Sequence, residues 1–243
     1  MKYPLVIWDS GGTIFNTTAQ PTGLPSPRDI RRQRASRAAH FLEMYGHKVP
    51  ASLEATIDAT EKESRARLGA WHSLEKLAAA LYDQFGIASR GDERLMFADA
   101  LGGPRYREWL WDGVADALAA LHAAGVRQSL LVNSDWTGRM MRRAYAGVGL
   151  AQYFETFTCS CDVGADKPDP RIFAAGQPAL PGAILYVGDD VVKDVEGATA
   201  FGWDAALHLT GAAAGPTRAV VTFRDYRELT QFVLNKEDEN GMD

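Results

Sequence analysis

Short apolar runs, each closed by a polar or glycine turn and followed by a helical stripe, recur along most of this chain, and few folds accommodate that alternation. Residues 4–8 form one such run, ending at Asp9 and Gly11-Gly12. Others lie at 130–132, 154–158, 183–187, 205–209 and 219–222. Helical patterns fall between them, at 114–124 (closed by Gly125), 137–146, from Asp169-Pro170 onward, 195–201 and 225–234, with a polar tail over 236–243. Apolar strands of this length alternating with helices predict a parallel sheet buried on both faces. One block breaks the rhythm. After a Thr-, Pro-, Gly- and Ser-rich stretch over 16–27, residues 28–100 carry helical signals only. The predicted architecture is therefore α/β: a doubly wound, Rossmann-like core made of residues 1–15 and 104–243, with an all-helical insert over 16–103.

Composition narrows the classes of function. Apolar residues make up 46% of the chain and charged residues 23%, which suits a packed soluble domain and not a disordered one. No apolar run approaches the length of a membrane span, and the opening run before Asp9 is too brief for a signal peptide. The net charge of −5 argues against nucleic acid as a partner. The two cysteines, Cys159 and Cys161, suit neither a disulfide framework nor a zinc site, so a reducing cytoplasm is the expected setting.

In open α/β sheets the ligand lies beyond the carboxyl ends of the strands. Three expected strand ends carry polar groups there: Asp9, Asn133-Ser134-Asp135, and Asp189-Asp190 with Asp194 nearby. A lone acid after a strand is ordinarily a turn former or a helix cap. Several converging acids are different, because they raise one another's pKa unless a positive charge sits among them. A hard divalent cation such as Mg2+ meets that need, and Lys167 is a second positive candidate. Gly11, Gly12 and Thr13 after Asp9 let the backbone approach an anion closely.

Asp9-Ser10-Gly11-Gly12-Thr13, Lys167-Pro168-Asp169-Pro170 and Gly188-Asp189-Asp190-Val191-Val192-Lys193-Asp194 resemble three of the four motifs of the haloacid dehalogenase-like (HAD) superfamily. The resemblance covers about 1–15 and 112–210, and the insert resembles that family's helical cap. It implies a hydrolase in which Asp9 is the nucleophile, forming an aspartyl-phosphate, and Lys167 stabilises charge on the phosphoryl group. It also implies Mg2+ held by Asp9, the Gly11 carbonyl, Asp189 and Asp194, the last directly or through water. Thr13, Asn133 and Ser134 are the expected substrate contacts; the second-motif hydroxyl position falls on Ser134 or, by a different count, on Val132.

One departure bears on activity. The family's phosphatases usually carry a second aspartate, an acid–base, where this chain has Gly11. Losing such a group commonly costs roughly 10²–10⁴-fold in rate. The expected function is thus a Mg2+-dependent phosphatase acting on a small phosphorylated metabolite, as a monomer or homodimer. The alternatives are a weak or silent binding protein of the same fold, or cleavage of C–P or C–halogen bonds. Lys48, Lys62 and Lys76, which C–P chemistry would need to draw on, have no distinguishing context. The arginine-rich run from Arg28 to Arg37 is either a solvated helix face or a source of one or two clamps on a substrate anion.

Overall fold

The computed structural model describes residues 2–18, 23–178, 182–211 and 215–234. The tail expected over 236–243, and part of the stretch 16–27, lie outside them. Among the described residues, six strands form one parallel sheet: β1 (Leu5–Trp8), β2 (Arg127–Val132), β3 (Phe157–Cys159), β4 (Ile184–Gly188), β5 (Asp204–His208) and β6 (Val221–Phe223). Their order is β3-β2-β1-β4-β5-β6. The direction of winding reverses between β1 and β4, and the crevice at such a switch point is where ligands bind in open α/β sheets.

Alternation along the strands divides the core by face. Val6 and Trp8, with Leu130, Val132, Leu185 and Val187, pack on one side. Leu5 and Ile7, with Leu131, Ile184, Tyr186 and Leu207, pack on the other. Every residue of β1 is buried, as expected for a central strand covered on both sides.

Among the described residues the inserted block after β1 forms five α-helices: α1 (Pro27–Arg32), α2 (Arg34–Met44), α3 (Leu53–Leu68), α4 (Leu74–Phe85) and α5 (Glu93–Gly102). Ser26 caps α1 in a capping box with Asp29, and Gly86, in the left-handed region, closes α4. Apolar positions spaced by three and four give α4 its inner face of Leu74, Leu77, Ala78 and Leu81. That face joins Phe41, Ile57, Phe97 and Leu101 in a core continuous with the first face of the sheet.

The remaining helices are α6 (Val114–Ala123), α7 (Gly138–Gly147), α8 (Ser160–Val163), α9 (Pro170–Gly176), α10 (Gly197–Phe201) and α11 (Tyr226–Leu234). Two details differ from the sequence reading. β3 begins at Phe157, since Ala151–Tyr153 form a 3-10 turn that delays it. The helix expected over 195–201 is preceded by a wide π-helical turn, Val191–Glu196, capped by Asp190 through the Val192 and Lys193 amides. That turn swings Asp194 back toward the strand end.

The arginine-rich run stays within the helical block. Arg31 and Arg34 reach Glu61 of α3 at 3.0 and 2.5 Å, and Arg65 joins them at 2.7 Å. Arg37 donates to the carbonyls of Ile30, Ala100 and Leu101. A largely buried carboxylate and the open carbonyls at the end of α5 draw these side chains inward. None of them reaches the cleft as a clamp.

The block is tied to the loop after β2 and to α7 by polar contacts. Arg65 pairs with Asp135 at 2.7 Å, and the Leu74 amide donates to the Asp135 carbonyl at 2.8 Å. Thr137 donates to Glu75 at 2.8 Å, Arg139 also pairs with Glu75, and Arg143 grips Asp99 through two bonds of 2.8 Å.

Candidate active site

β1 delivers Asp9 to the switch point. Its amide donates to the Val187 carbonyl at 2.8 Å, which extends the pairing with β4 by one residue. The chain then turns sharply. Gly12 has φ +84°, and a Cβ there would lie 2.1 Å from Asp189 Oδ2, so only glycine leaves space for that carboxylate. Gly188 serves Asp194 likewise, since a Cβ there would fall 2.3 Å from the Asp194 carboxyl carbon.

Lys167 is the centre of the arrangement. Its Nζ donates to Asp9 Oδ1 at 2.6 Å, Asp194 Oδ1 at 2.7 Å and the Tyr186 hydroxyl at 2.8 Å. Tyr186 donates in turn to the Leu131 carbonyl at 2.8 Å. The lysine is placed by its own backbone. Asn133 Oδ1 accepts from the Lys167 amide at 2.7 Å, and Asn133 Nδ2 donates to the Lys167 carbonyl at 3.2 Å. Lys167 is 5% exposed, so its charge has little water to stabilise it. Burial alone would lower its pKa, but contact with Asp9 and Asp194 holds it above the ordinary value.

One ammonium does not neutralise three carboxylates. Carboxylate oxygens of Asp9, Asp189 and Asp194 lie within 4.8 Å of one another. Burial pushes Asp9 up to about 7, with Lys167 opposing and Asp194 and Asp189 adding to the rise. Burial and Asp194 push Asp189 up to about 6. The excess negative charge is the electrostatic case for a cation, and oxygen donors alone suit a hard one.

The donors differ in availability. Asp194 Oδ1 takes Lys167, with Tyr186 at 3.4 Å, while its Oδ2 takes the Asp189 and Asp190 amides at 3.1 and 3.0 Å. That carboxylate organises the loop and the lysine, and is poorly free for a direct metal bond. Asp9 Oδ2, Asp189 Oδ2 and the Gly11 carbonyl face fewer partners, so the residues present fit a Mg2+ ion held mainly by these three.

A cavity of about 320 Å3 opens over the cluster. Asp9, Gly11, Asn133, Ser134, Lys167, Asp189 and Asp194 line it, so the geometry brings together all but one of the expected catalytic, metal-binding and substrate-contact residues. Thr13 is the exception. It is fully buried, and its hydroxyl donates to Asp189 Oδ1 at 3.4 Å, so it braces a carboxylate and does not face a ligand. Asn133 lines the cavity, yet its amide is engaged with the Lys167 backbone, which makes positioning its evident task. Ser134 Oγ accepts from the Trp136 amide at 3.0 Å, and its hydroxyl proton is free to turn toward the cavity. Val132, the other second-motif position, also lines the cavity but offers only a side chain without polar atoms.

Several lining residues carried no role in the sequence reading: Ser10, Arg105, Lys193 and, behind the lysine, Tyr186. Ser10 accepts from the fully buried Tyr145 hydroxyl at 2.8 Å, and Lys193 pairs with Asp190 at 3.0 Å. Tyr186 read as one more apolar strand residue; a phenol amid aliphatic neighbours was the only signal. Arg105 stood alone in a loop and gave none.

A six-stranded parallel sheet with a carboxylate–lysine cluster at its switch point defines a Rossmann-like hydrolase fold. The chain belongs to the haloacid dehalogenase-like hydrolase family, whose model matches residues 3–202. It is 30% identical over 193 residues to the phosphoserine phosphatase of Thermus thermophilus, covering 76% of each chain. Among solved structures it resembles a 2-haloacid dehalogenase from Pseudomonas syringae, with TM-score 0.62, 20% identity and coverage of 97% of this chain and 99% of that one. It also resembles a HAD phosphatase from Thermococcus onnurineus, with TM-score 0.56, 21% identity and coverage of 98% and 99%. At such identities these structures speak to the fold alone. Among the described residues, no helix is long and apolar enough to cross a membrane.

Proposed function

We propose that this hydrolase is a Mg2+-dependent phosphatase acting on a small phosphorylated metabolite through an aspartyl-phosphate on Asp9, with residues 16–103 serving as a cap over a core of 1–15 and 104–243. The observation that carries the reading is the Lys167 ammonium held between Asp9 and Asp194, with Asp189 completing an acidic rim on one small cavity. The 30% identity to a phosphoserine phosphatase supports the same reaction class. Displacing a halide needs a carboxylate nucleophile but gives no use for the further acids, so the cluster favours phosphoryl transfer.

In this scheme the Asp9 carboxylate attacks phosphorus through the oxygen not engaged with the cation, the bond to the ester oxygen breaks, and the leaving group departs as its anion and takes a proton from solvent. Water then attacks the acyl phosphate, releasing inorganic phosphate and restoring the Asp9 carboxylate. Lys167 keeps the nucleophile oriented and stabilises charge developing on the phosphoryl oxygens, and Ser134 is placed to donate to one of them. Asp9, Asp189 and the Gly11 carbonyl, with Asp194 behind them, would hold Mg2+, which when bound would supply charge neutralisation for nucleophile and phosphate. Gly11 offers no proton to the departing oxygen, so good leaving groups are turned over best. A cavity of about 320 Å3 favours small substrates.

The test is phosphate release from a panel of sugar phosphates, acyl phosphates, phosphoamino acids and aryl phosphates, with Mg2+ and with chelator, beside Asp9→Asn. Metal-dependent release that the variant loses is the expected result. A folded, metal-binding protein that releases phosphate from none of them would overturn the proposal and leave a binding role.

A further inference from the structure

We propose that Arg105 forms a second anion-binding position in this cavity, and that the substrate is a small phosphomonoester carrying a carboxylate. The inference rests on the phosphatase reading for the phosphoryl end only; the arginine's availability is a separate observation.

Arg105 follows Pro104 on the segment that returns the chain from α5 to the sheet, and it lines the cavity with Asp9 and Lys167. Every other cation on that lining is paired: Lys167 with Asp9 and Asp194, and Lys193 with Asp190. Among the described residues Arg105 has neither an ion pair nor a hydrogen bond. Its guanidinium stacks 4.6 Å from the centre of the Trp136 ring, which fixes its plane without using its five N–H donors. Removal from water weakens its charged form, and the groups that act on it electrostatically are Tyr145 and Asp135, not the clustered aspartates. The arginine therefore stands apart from the carboxylate cluster.

A half-buried arginine without a carboxylate partner carries a desolvation cost, and a bidentate anion offsets it. The same lining includes Phe15, Val132 and Met141, apolar surface suited to a short carbon skeleton. The cavity is near the lower size limit for ligand pockets, which restricts the bridging molecule to a few carbons. Charge balance selects the kind of anion. The lining holds four carboxylates (Asp9, Asp189, Asp190, Asp194) against three cations (Lys167, Lys193, Arg105). A divalent metal and a phosphoryl dianion leave the site slightly negative again, so a singly charged carboxylate at the far end is tolerated better than a second phosphate.

The experiment compares esters that differ only in that group: O-phosphoserine against phosphoethanolamine, with a glycerol bisphosphate as the arm for a second phosphate. The wild-type chain and the variants Arg105→Met and Arg105→Lys are each measured for turnover. Binding is titrated separately on Asp9→Asn, with and without each Arg105 change, so that the subsite is read even where no phosphate is released. Expected is a preference of about 10- to 100-fold for the carboxylated ester, carried mainly by KM. It should collapse toward unity in Arg105→Met and be partly kept in Arg105→Lys. Equal binding of the two esters to the unmodified site, a preference that survives Arg105→Met, or a stronger preference for the bisphosphate would each overturn the inference. Failure of turnover with arginine-dependent binding intact would instead count against the phosphatase reading alone.

Discussion

Replacing Asp9 by Asn should do more than remove the nucleophile: it should stabilise the metal-free protein at alkaline pH. Asp9 is 7% exposed and shares its site with two further carboxylates. Its pKa rises from an ordinary 3.8 to about 7 on folding, mainly through burial. A folded-state pKa above the unfolded one means that the folded chain binds more protons between those values. Stability is then lost as pH climbs from about 4 to about 7. At roughly 1.4 kcal/mol for each pH step, the ceiling on that loss is about 4 kcal/mol, of which about 3 kcal/mol falls above pH 5. Water entering the cavity reduces this, so roughly 1–2 kcal/mol is the reasonable expectation. Asn keeps an oxygen for the Lys167 ammonium and never ionises.

The assay is thermal unfolding of both proteins in chelator at pH 5 and pH 8. Asp189 and the buried histidines titrate in both proteins, so the difference between the two isolates Asp9. The variant should be close to wild type at pH 5 and should melt about 2–8 °C higher at pH 8, by the usual scaling for a chain of this size. Added Mg2+ should raise the wild-type melting point at pH 8 more than that of the variant. An Asp9→Asn protein that is no more stable than wild type at pH 8 would refute the argument. It would mean that attraction to Lys167 outweighs the cost of burying the carboxylate.

Three further outcomes follow from the same geometry. Gly11→Asp meets only Thr17 Cγ2, at 3.5 Å from the added Cβ, so the substitution fits and should raise phosphate release by about 10-fold or more, most for poor leaving groups; an unchanged rate would show that protonation does not limit turnover. Gly12→Ala places its Cβ against Asp189 at a φ of +84°, so Mg2+-dependent stabilisation should vanish on calorimetric titration while far-UV circular dichroism stays intact. Glu61→Ala leaves the largely buried Arg34 without its carboxylate and should lower stability by about 3 kcal/mol in urea, and a loss below 1 kcal/mol would show that Arg34 finds other partners.

What sequence could deliver here depended on whether a residue's task was local or tertiary. Asp9 and Asp189 stand at strand ends, Lys167 beside a Pro turn and Asp194 in the turn after β4, where short-range pattern and family resemblance coincide, and folding brings all four to one cavity. The strands themselves were legible for the same reason, because a central strand buried on both faces cannot disguise its apolar run. Tasks set by contacts far along the chain were not legible. Thr13 and Asn133 looked like ligand contacts because they flank the expected site. Their polar atoms turn instead to Asp189, 176 residues away, and to Lys167, 34 residues away. The arginine-rich run admitted either a solvated face or a clamp, and Glu61 of another helix engages Arg31 and Arg34. Arg105 had the opposite history: nothing near it in sequence marks it, yet the cavity leaves it the unpaired cation on its lining. Residues that seem made for a substrate can thus be absorbed by the protein itself, and the group left unpaired after that accounting is where specificity is best sought.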